Sequence, residues 1–288
     1  MNREPFMQIA SLRQQLIQRF ADSDSAALDA DCLLCAVLSC TRTFLRTWPE
    51  QELTPEQVEH LEQLAVRREQ GEPVAYILGV REFWSLPIQV SPATLIPRPD
   101  TECLVEWALS LLPERGQGLK ALDLGTGTGA IALALTSECP GLTMWAVERE
   151  PAALELARRN AARLGFSVKF LASNWFSALN EQNFHLIVSN PPYIDAADPH
   201  LAQGDVRFEP LTALVAEEDG LADIRQLIDQ APEYLADGGW LLLEHGWQQA
   251  QAVRELLLAR GFHAVMTRQD LGGQDRVSGG QWFGDVAR

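Results

Sequence analysis

From residue 119 onward, short apolar runs alternate with helix-spaced stretches, and nothing else in the chain restricts its fold as strongly. The runs LKALDL (119–124), LTMWAV (142–147) and VKFL (168–171) are separated by a helix reaching Cys139 and another from Pro151 to Leu164, closed by Gly165; HLIVS (185–189) follows. Continuous apolar strands joined by helices read as a parallel sheet covered on both faces. A helix from about Leu221 to Leu235 comes next, then the strand WLLLE (240–244) after Gly238-Gly239 and a helix to Gly261. Two closing strands, near 262–268 and 282–286, complete an expected seven-stranded, mostly parallel α/β sheet.

Ahead of the sheet the chain is helical. Leu12, Leu16, Ile17 and Phe20 recur at helix spacing, as do Leu33, Leu34, Val37 and Leu38. Thr54-Pro55-Glu56-Gln57 supplies an N-cap, a proline at N1 and a capping-box glutamine for a third helix, which Gly71 and Pro73 end. The expected organisation is a small helical domain over 1–80, a hairpin linker over 81–99 rich in proline, and a doubly wound α/β domain over 100–288. Asp100 is the expected N-cap of the helix carrying Leu104, Val105, Ala108, Leu111 and Leu112.

Between the first strand and its helix, LDLGTGTGAIAL sets Gly125, Thr126, Gly127, Thr128 and Gly129 where backbone amides and a helix N-terminus can approach a ligand closely. Glu148 ends the next strand, which puts a carboxylate at the lip of the same crevice, in reach of ribose hydroxyls. The pattern is Rossmann-like, and NAD and S-adenosylmethionine both carry a ribose, so this pair alone leaves the cofactor open.

Asn190-Pro191-Pro192-Tyr193 follows the fourth strand on the same sheet edge. Prolines cannot extend a sheet and hold φ near one value, so the stretch is built to keep a fixed geometry. The Asn190 side-chain oxygen and the Pro191 carbonyl can each accept one N–H of a planar NH₂ group, and Tyr193 can pack on its flat face. Such acceptors strengthen as the nitrogen becomes positive during attack on a methyl, so they favour the transition state.

Together, LDLGTGTGAIAL and SNPPYI resemble the class I S-adenosylmethionine-dependent methyltransferases that modify planar NH₂ groups. More narrowly, GVREFWSLPIQVSPATLIPRPDTECLVE, NPPYIDAADPHLAQGDVRFEPLTALVA and LLLEHGWQQ are similar to the protein-(glutamine-N5) methyltransferases of bacterial peptide-chain release factors, over nearly the whole chain. The resemblance implies that the acceptor is the glutamine of a Gly-Gly-Gln loop in class 1 release factors, bound between the two domains. It also implies that Gly125 to Gly129, Glu148 and Trp175 line the S-adenosylmethionine site, that Asp123 reaches the methionyl ammonium, and that Asn190, Pro191, Pro192 and Tyr193 hold the glutamine, with Asn190 bordering both sites. Where the family has Asp before that tryptophan, this chain reads Ser173-Asn174-Trp175. The Asn174 oxygen can still accept from the adenine amino group, but without charge assistance, which bears on cofactor affinity rather than chemistry.

Charge helps to choose among partners. The net charge of −16, with 7 basic and 12 acidic residues in 1–80, opposes direct nucleic-acid binding and disfavours the main alternative, a nucleic-acid adenine-N6 methyltransferase. A third possibility, a nucleotide-binding scaffold without catalysis, leaves Asn190 to Tyr193 unexplained. Five cysteines form no disulfide framework, Cys32-Leu33-Leu34-Cys35 with Cys40 suits a buried helix, and the five histidines lack ligand spacing, so no metal is expected. Neither a signal peptide nor a membrane span is evident, and a cytoplasmic monomer is expected. Gly272-Gly273-Gln274 and Gly279-Gly280-Gln281 repeat the implied substrate tripeptide; the plain expectation is a glycine-rich hairpin between the last strands, and self-methylation is the sharper one.

Overall fold

The computed structural model describes residues 7–113 and 116–284. Its contacts divide the chain into two compact units. One runs to Val80 and also takes in His200–Phe208; the other comprises 81–199 and the residues from Glu209 on.

Among the described residues the first unit holds five α-helices, Ile9–Arg19, Ala26–Leu38, Arg42–Thr47, Pro55–Glu69 and Val74–Leu78. Leu16, Phe20, Leu33, Leu34, Leu61 and Leu64 form its core. Thr54 and Gln57 make the reciprocal capping box expected of that spacing. Arg68, its side chain 8% exposed, donates to buried Asp29 at 2.8 Å and to the more exposed Asp205 at 3.1 Å, so one guanidinium ties the segment that returns from the later chain to this unit. Cys35 packs against the core, and burial pushes its thiol up to about 12, which suits a packing residue better than a thiolate ligand.

In the second unit, β1 (Val80–Phe83) and β2 (Leu86–Gln89) form a two-stranded sheet. Beyond it come β3 (Lys120–Leu124), β4 (Thr143–Glu148), β5 (Lys169–Ala172), β6 (Phe184–Ser189), β7 (Leu235–Glu244), β8 (His263–Gln269) and β9 (Asp275–Gln281). They build one seven-stranded sheet in the order β5-β4-β3-β6-β7-β9-β8, parallel from β5 to β7 and antiparallel at β9 and β8.

Alternate residues of the strands point to opposite faces, as the pleat requires. Ala121, Leu186, Val188 and Leu242 pack with the helices Glu102–Leu111 and Ala130–Glu138. Leu122, Leu124, Ile187, Leu241 and Leu243 pack on the other side with Ala222–Gln230 and Ala250–Arg260. Burying each such leucine or isoleucine contributes about 1.5–3 kcal/mol, so this double cover dominates the stability of the sheet.

Several expectations are corrected. The last strand is β9, Asp275–Gln281, not 282–286, and residues 285 and 286 lie outside the described residues. Glycines disguised it: a Cβ on Gly279 would stand 2.4 Å from Leu242 Cδ2 and 2.6 Å from the Leu241 carbonyl oxygen, so only glycine lets β9 lie this close to β7. Gly279-Gly280-Gln281 is therefore sheet rather than hairpin, with Gln281 Nε2 donating to the Gly238 carbonyl, whereas Gly272-Gly273-Gln274 forms the exposed β8–β9 turn.

Asp100 does not cap the helix. A 3₁₀ turn, Pro99–Thr101, leads into Glu102–Leu111, and Asp100 instead pairs with Arg276 at 3.4 Å. The helix expected to reach Leu235 ends at Gln230, because a 3₁₀ turn containing Pro232 intervenes and Leu235 already starts β7. The hairpin expected within 81–99 is present as β1 and β2, and its Phe83 and Ile88 are buried in the core of the second unit.

Candidate active site

Strand order reverses between β3 and β6, and in sheets of this kind the crevice opens beyond the carboxyl ends of the strands at that point. The glycine loop leaves β3 there and Asn190 leaves β6. An open crevice enclosing about 920 Å³, solvent space included, lies over both.

Gly125, Gly127 and Gly129 take φ of +70°, +55° and +85°, a region costly for any residue with a Cβ. Gly127 would direct a Cβ into open space, while one on Gly125 would approach Trp175 Cζ3 to 3.0 Å. The loop is tied to the sheet by Thr126 N–H donating to the Val147 carbonyl at 2.9 Å. Glu148 is 8% exposed and borders the cavity; its Oε2 accepts from Gly127 N–H at 2.9 Å, and its Oε1 from the N–H groups of Arg149 and Glu150 at 2.8 and 3.0 Å. Three backbone donors thus aim one carboxylate at the lip of the crevice and leave lone pairs for a ligand.

Of the residues singled out in the sequence, Gly125, Thr126, Gly127, Thr128, Glu148, Asn174, Trp175, Asn190 and Pro192 line this cavity. Asp123, Gly129, Pro191 and Tyr193 do not. Asp123 is fully buried, accepts from the Thr126 hydroxyl at 2.6 Å, and keeps Oδ1 without a partner; burial pushes its carboxyl up to about 7, against the pull of that hydrogen bond. The Tyr193 hydroxyl donates to Glu244 Oε1 at 3.3 Å, and burial raises its pKa. Trp175, at φ +49°, donates its indole N–H to Asp223 at 3.1 Å.

Sequence reasoning missed the wall supplied by residues 93–101 and 212–213. Thr94, Leu95, Arg98 and Thr101 border the cavity, and Arg98 is anchored by Glu209, whose side chain is wholly buried, at 2.8 Å. The RPDT run was legible only as part of a family motif, since its partner stands 111 residues away. Among the described residues no cluster of His, Cys, Asp or Glu could hold a metal ion, and no helix is long and apolar enough to cross a membrane.

Residues 104–205 match the methyltransferase small domain, and 11–79 match the PrmC N-terminal domain. A methyltransferase from Pyrococcus furiosus shares the fold at a TM-score of 0.53 and 18% identity, over 80% of this chain and 98% of that one. Fold and crevice define a methyltransferase on a doubly wound α/β sheet. The release factor glutamine methyltransferase of Escherichia coli (strain K12) is 55% identical over 94% of this chain and 97% of its own length. That of Pseudomonas aeruginosa is 58% identical over 91% and 94%. This chain belongs to the release factor glutamine methyltransferase family.

Proposed function

We propose that this protein, a cytoplasmic monomer, transfers a methyl group from S-adenosylmethionine to the side-chain amide nitrogen of the glutamine in the Gly-Gly-Gln loop of class 1 release factors, with the helical unit recognising the substrate. The observation that carries this reading is that Asn190 shares one cavity with Gly125, Gly127 and Glu148, while its Nδ2 is already engaged by Thr101 Oγ1 at 3.4 Å. The Oδ1 atom is thereby the end left to accept an N–H of the substrate amide.

The residues present fit S-adenosylmethionine. A glycine loop with open space at Gly127, a helix starting at Ala130, an oriented carboxylate at Glu148 and an indole at Trp175 suit a nucleoside with a charged tail. When bound, the cofactor supplies a methyl group on a sulfonium sulfur.

Glu148 would accept from the ribose hydroxyls, and Asn174 from the adenine amino group. Buried Asp123 is held behind the loop, and its unpartnered Oδ1 offers a further acceptor for the ammonium tail. A glutamine carboxamide nitrogen is a poor nucleophile because its lone pair is delocalised. Asn190 Oδ1 and the Pro191 carbonyl would each accept one N–H, turning the lone pair toward the methyl carbon, and both contacts gain strength as positive charge grows on the nitrogen. Pro191 and Pro192 are buried, which lowers the cost of keeping this geometry. The Tyr193 ring packs against the core and its hydroxyl is spent on Glu244, so its role is to brace the tetrapeptide.

The test is transfer of labelled methyl to intact release factor, to its glutamine-to-alanine variant and to duplex DNA. Labelling of the first alone is expected, with Asn190→Ala abolishing turnover while cofactor binding persists. Labelling of DNA, or of the alanine variant at an equal rate, would refute the reading.

A further inference from the structure

The run LLLEHGWQQ carries part of the family likeness, yet neither cofactor binding nor methyl transfer employs its last residue, Gln249. Gln249 does not border the cavity. It occupies the N-cap of the helix Ala250–Arg260, a place that favours Ser, Thr, Asp and Asn, and its side chain makes no cap hydrogen bond there. That side chain is spent elsewhere. Its Oε1 accepts from Gly246 N–H at 2.8 Å, while Nε2 donates to the Tyr193 carbonyl and to the Asp219 carbonyl, both at 3.0 Å. The amide fits only this way round, since turning it over would set an oxygen against two carbonyl oxygens and an NH₂ against an N–H.

What Gln249 grips is the end of the tetrapeptide. Pro191 and Pro192 have no N–H, so two of its four residues offer no backbone donor. Anchoring therefore falls to carbonyls and to the residue that follows. Ile194 N–H donates to the Leu214 carbonyl at 2.9 Å, and Ala216 N–H to the Ile194 carbonyl at 3.0 Å, which stitches 214–216 alongside. Just ahead of that stitch, Thr212 and Ala213 wall the cavity, and Arg149, next to Glu148, donates to the Thr212 carbonyl at 3.0 Å. One segment thus runs from the cofactor side to the tetrapeptide, and Gln249 holds its far end through Asp219.

The approach at that end is close. Glu218 and Asp219 both take φ of +55° although neither is glycine, a conformation that persists only where the surroundings over-determine it. Gly220, at φ +81°, would put a Cβ 2.1 Å from the Tyr193 carbonyl oxygen and 2.8 Å from Gln249 Nε2. Only a residue without a side chain lets the chain pass beside that hydrogen bond.

We propose that Gln249 is a positioning residue of the acceptor site: its amide ties the Tyr193 carbonyl to Asp219, and so fixes where residues 190–193 stand against the 212–213 wall. Its effect on rate rests on the methyl-transfer reading; its hold on the two segments does not.

The experiment compares the wild type with Gln249→Glu, which keeps the shape and exchanges the donor for an acceptor, and Gln249→Met, which keeps the length and removes all three hydrogen bonds. Two controls accompany them. Gln248→Glu puts the same charge on the exposed neighbouring residue, and Gly279→Ala strains the same unit at β9. Release-factor methylation gives kcat and KM, titration gives cofactor Kd, and amide hydrogen exchange reads Ile194 and Ala216. Both Gln249 variants should lower kcat by roughly 10- to 100-fold, the range expected when reacting groups are misplaced by up to about an ångström. KM for release factor and cofactor Kd should stay within about threefold, because the lost contacts lie outside the cavity. Exchange at Ile194 and Ala216 should speed by at least ~10-fold, while that of Val188 within β6 stays as in the wild type. Gln248→Glu should match the wild type throughout, and Gly279→Ala should keep its kcat well below the melting temperature.

A wild-type kcat in either Gln249 variant would overturn the proposal, as would unchanged exchange at Ile194 and Ala216. An equal loss of rate in Gly279→Ala would tie the rate to overall stability, and a rise in cofactor Kd matching the fall in kcat would place the effect at the nucleotide; either overturns it. Should the wild type fail to methylate release factor, the functional reading falls, and hydrogen exchange alone decides whether Gln249 holds the two segments.

Discussion

Replacing Glu148 by glutamine changes one oxygen for an NH₂ group and keeps the shape, yet the surroundings make it severe. Both carboxylate oxygens face backbone donors: Gly127 N–H on one, Arg149 and Glu150 N–H on the other. Whichever way the amide is turned, its NH₂ meets at least one N–H, and a buried donor left unsatisfied costs about 1–3 kcal/mol. The ribose hydroxyls also lose a charged acceptor for a neutral one, roughly another 1 kcal/mol. The loop of the free protein relaxes to return that N–H to water, whereas the bound form holds it in place, so both costs enter binding; the sum, about 2–4 kcal/mol, corresponds to a roughly 30- to 1000-fold rise in cofactor Kd. Isothermal titration measures it directly. Melting with and without cofactor gives a second reading, because a dose of 100 Kd stabilises the wild type by about 2.7 kcal/mol and the same dose stabilises a 100-fold weaker variant by only ~0.4 kcal/mol. A Kd within about threefold of wild type would refute the reasoning, since Glu148 could then neither hold the loop nor bind the ribose.

Other expectations follow from the packing. Gly279→Ala would drive a methyl into Leu242 and the Leu241 carbonyl, and should lower stability by about 1–3 kcal/mol in urea unfolding. Thr54→Ala removes the reciprocal cap of Pro55–Glu69 and should cost about 1 kcal/mol, seen as a lower urea midpoint for the helical unit. The Glu244 carboxyl has its folded pKa raised to about 7 against an ordinary 4.5, so the native state keeps a proton that the unfolded chain releases. Its contribution to stability is complete below pH 4.5 and is lost as pH rises to about 7, with an amount near 3 kcal/mol by linkage. Urea midpoints of the wild type should therefore fall relative to Glu244→Gln across that window, and parallel curves would contradict the assignment.

Much of the site was legible in the chain because its parts are local. A glycine loop between β3 and its helix, a carboxylate at the end of β4 and a proline-braced tetrapeptide at the end of β6 are each set by a few consecutive residues. In a parallel sheet all such strand ends open on one side. The capping box at Thr54 was readable for the same reason, since donor and acceptor stand three residues apart. Other features depend on partners far along the chain. Gly279 reads as a turn residue until β7 lies against it. Arg98 acquires a purpose only beside Glu209, and Asp100 serves Arg276 rather than a helix end.

The sequence by itself determined the alternation that makes the sheet and the three motifs that meet at its edge. Backbone conformation and apolar periodicity are properties of neighbouring residues, and they act before any long-range contact exists. Tertiary structure alone decided that Asp123 and Glu244 are buried, which strand needs glycine, and that Tyr193 faces Glu244 instead of the cavity. Burial, and the direction of a hydrogen bond between distant segments, exist only once the chain has closed on itself.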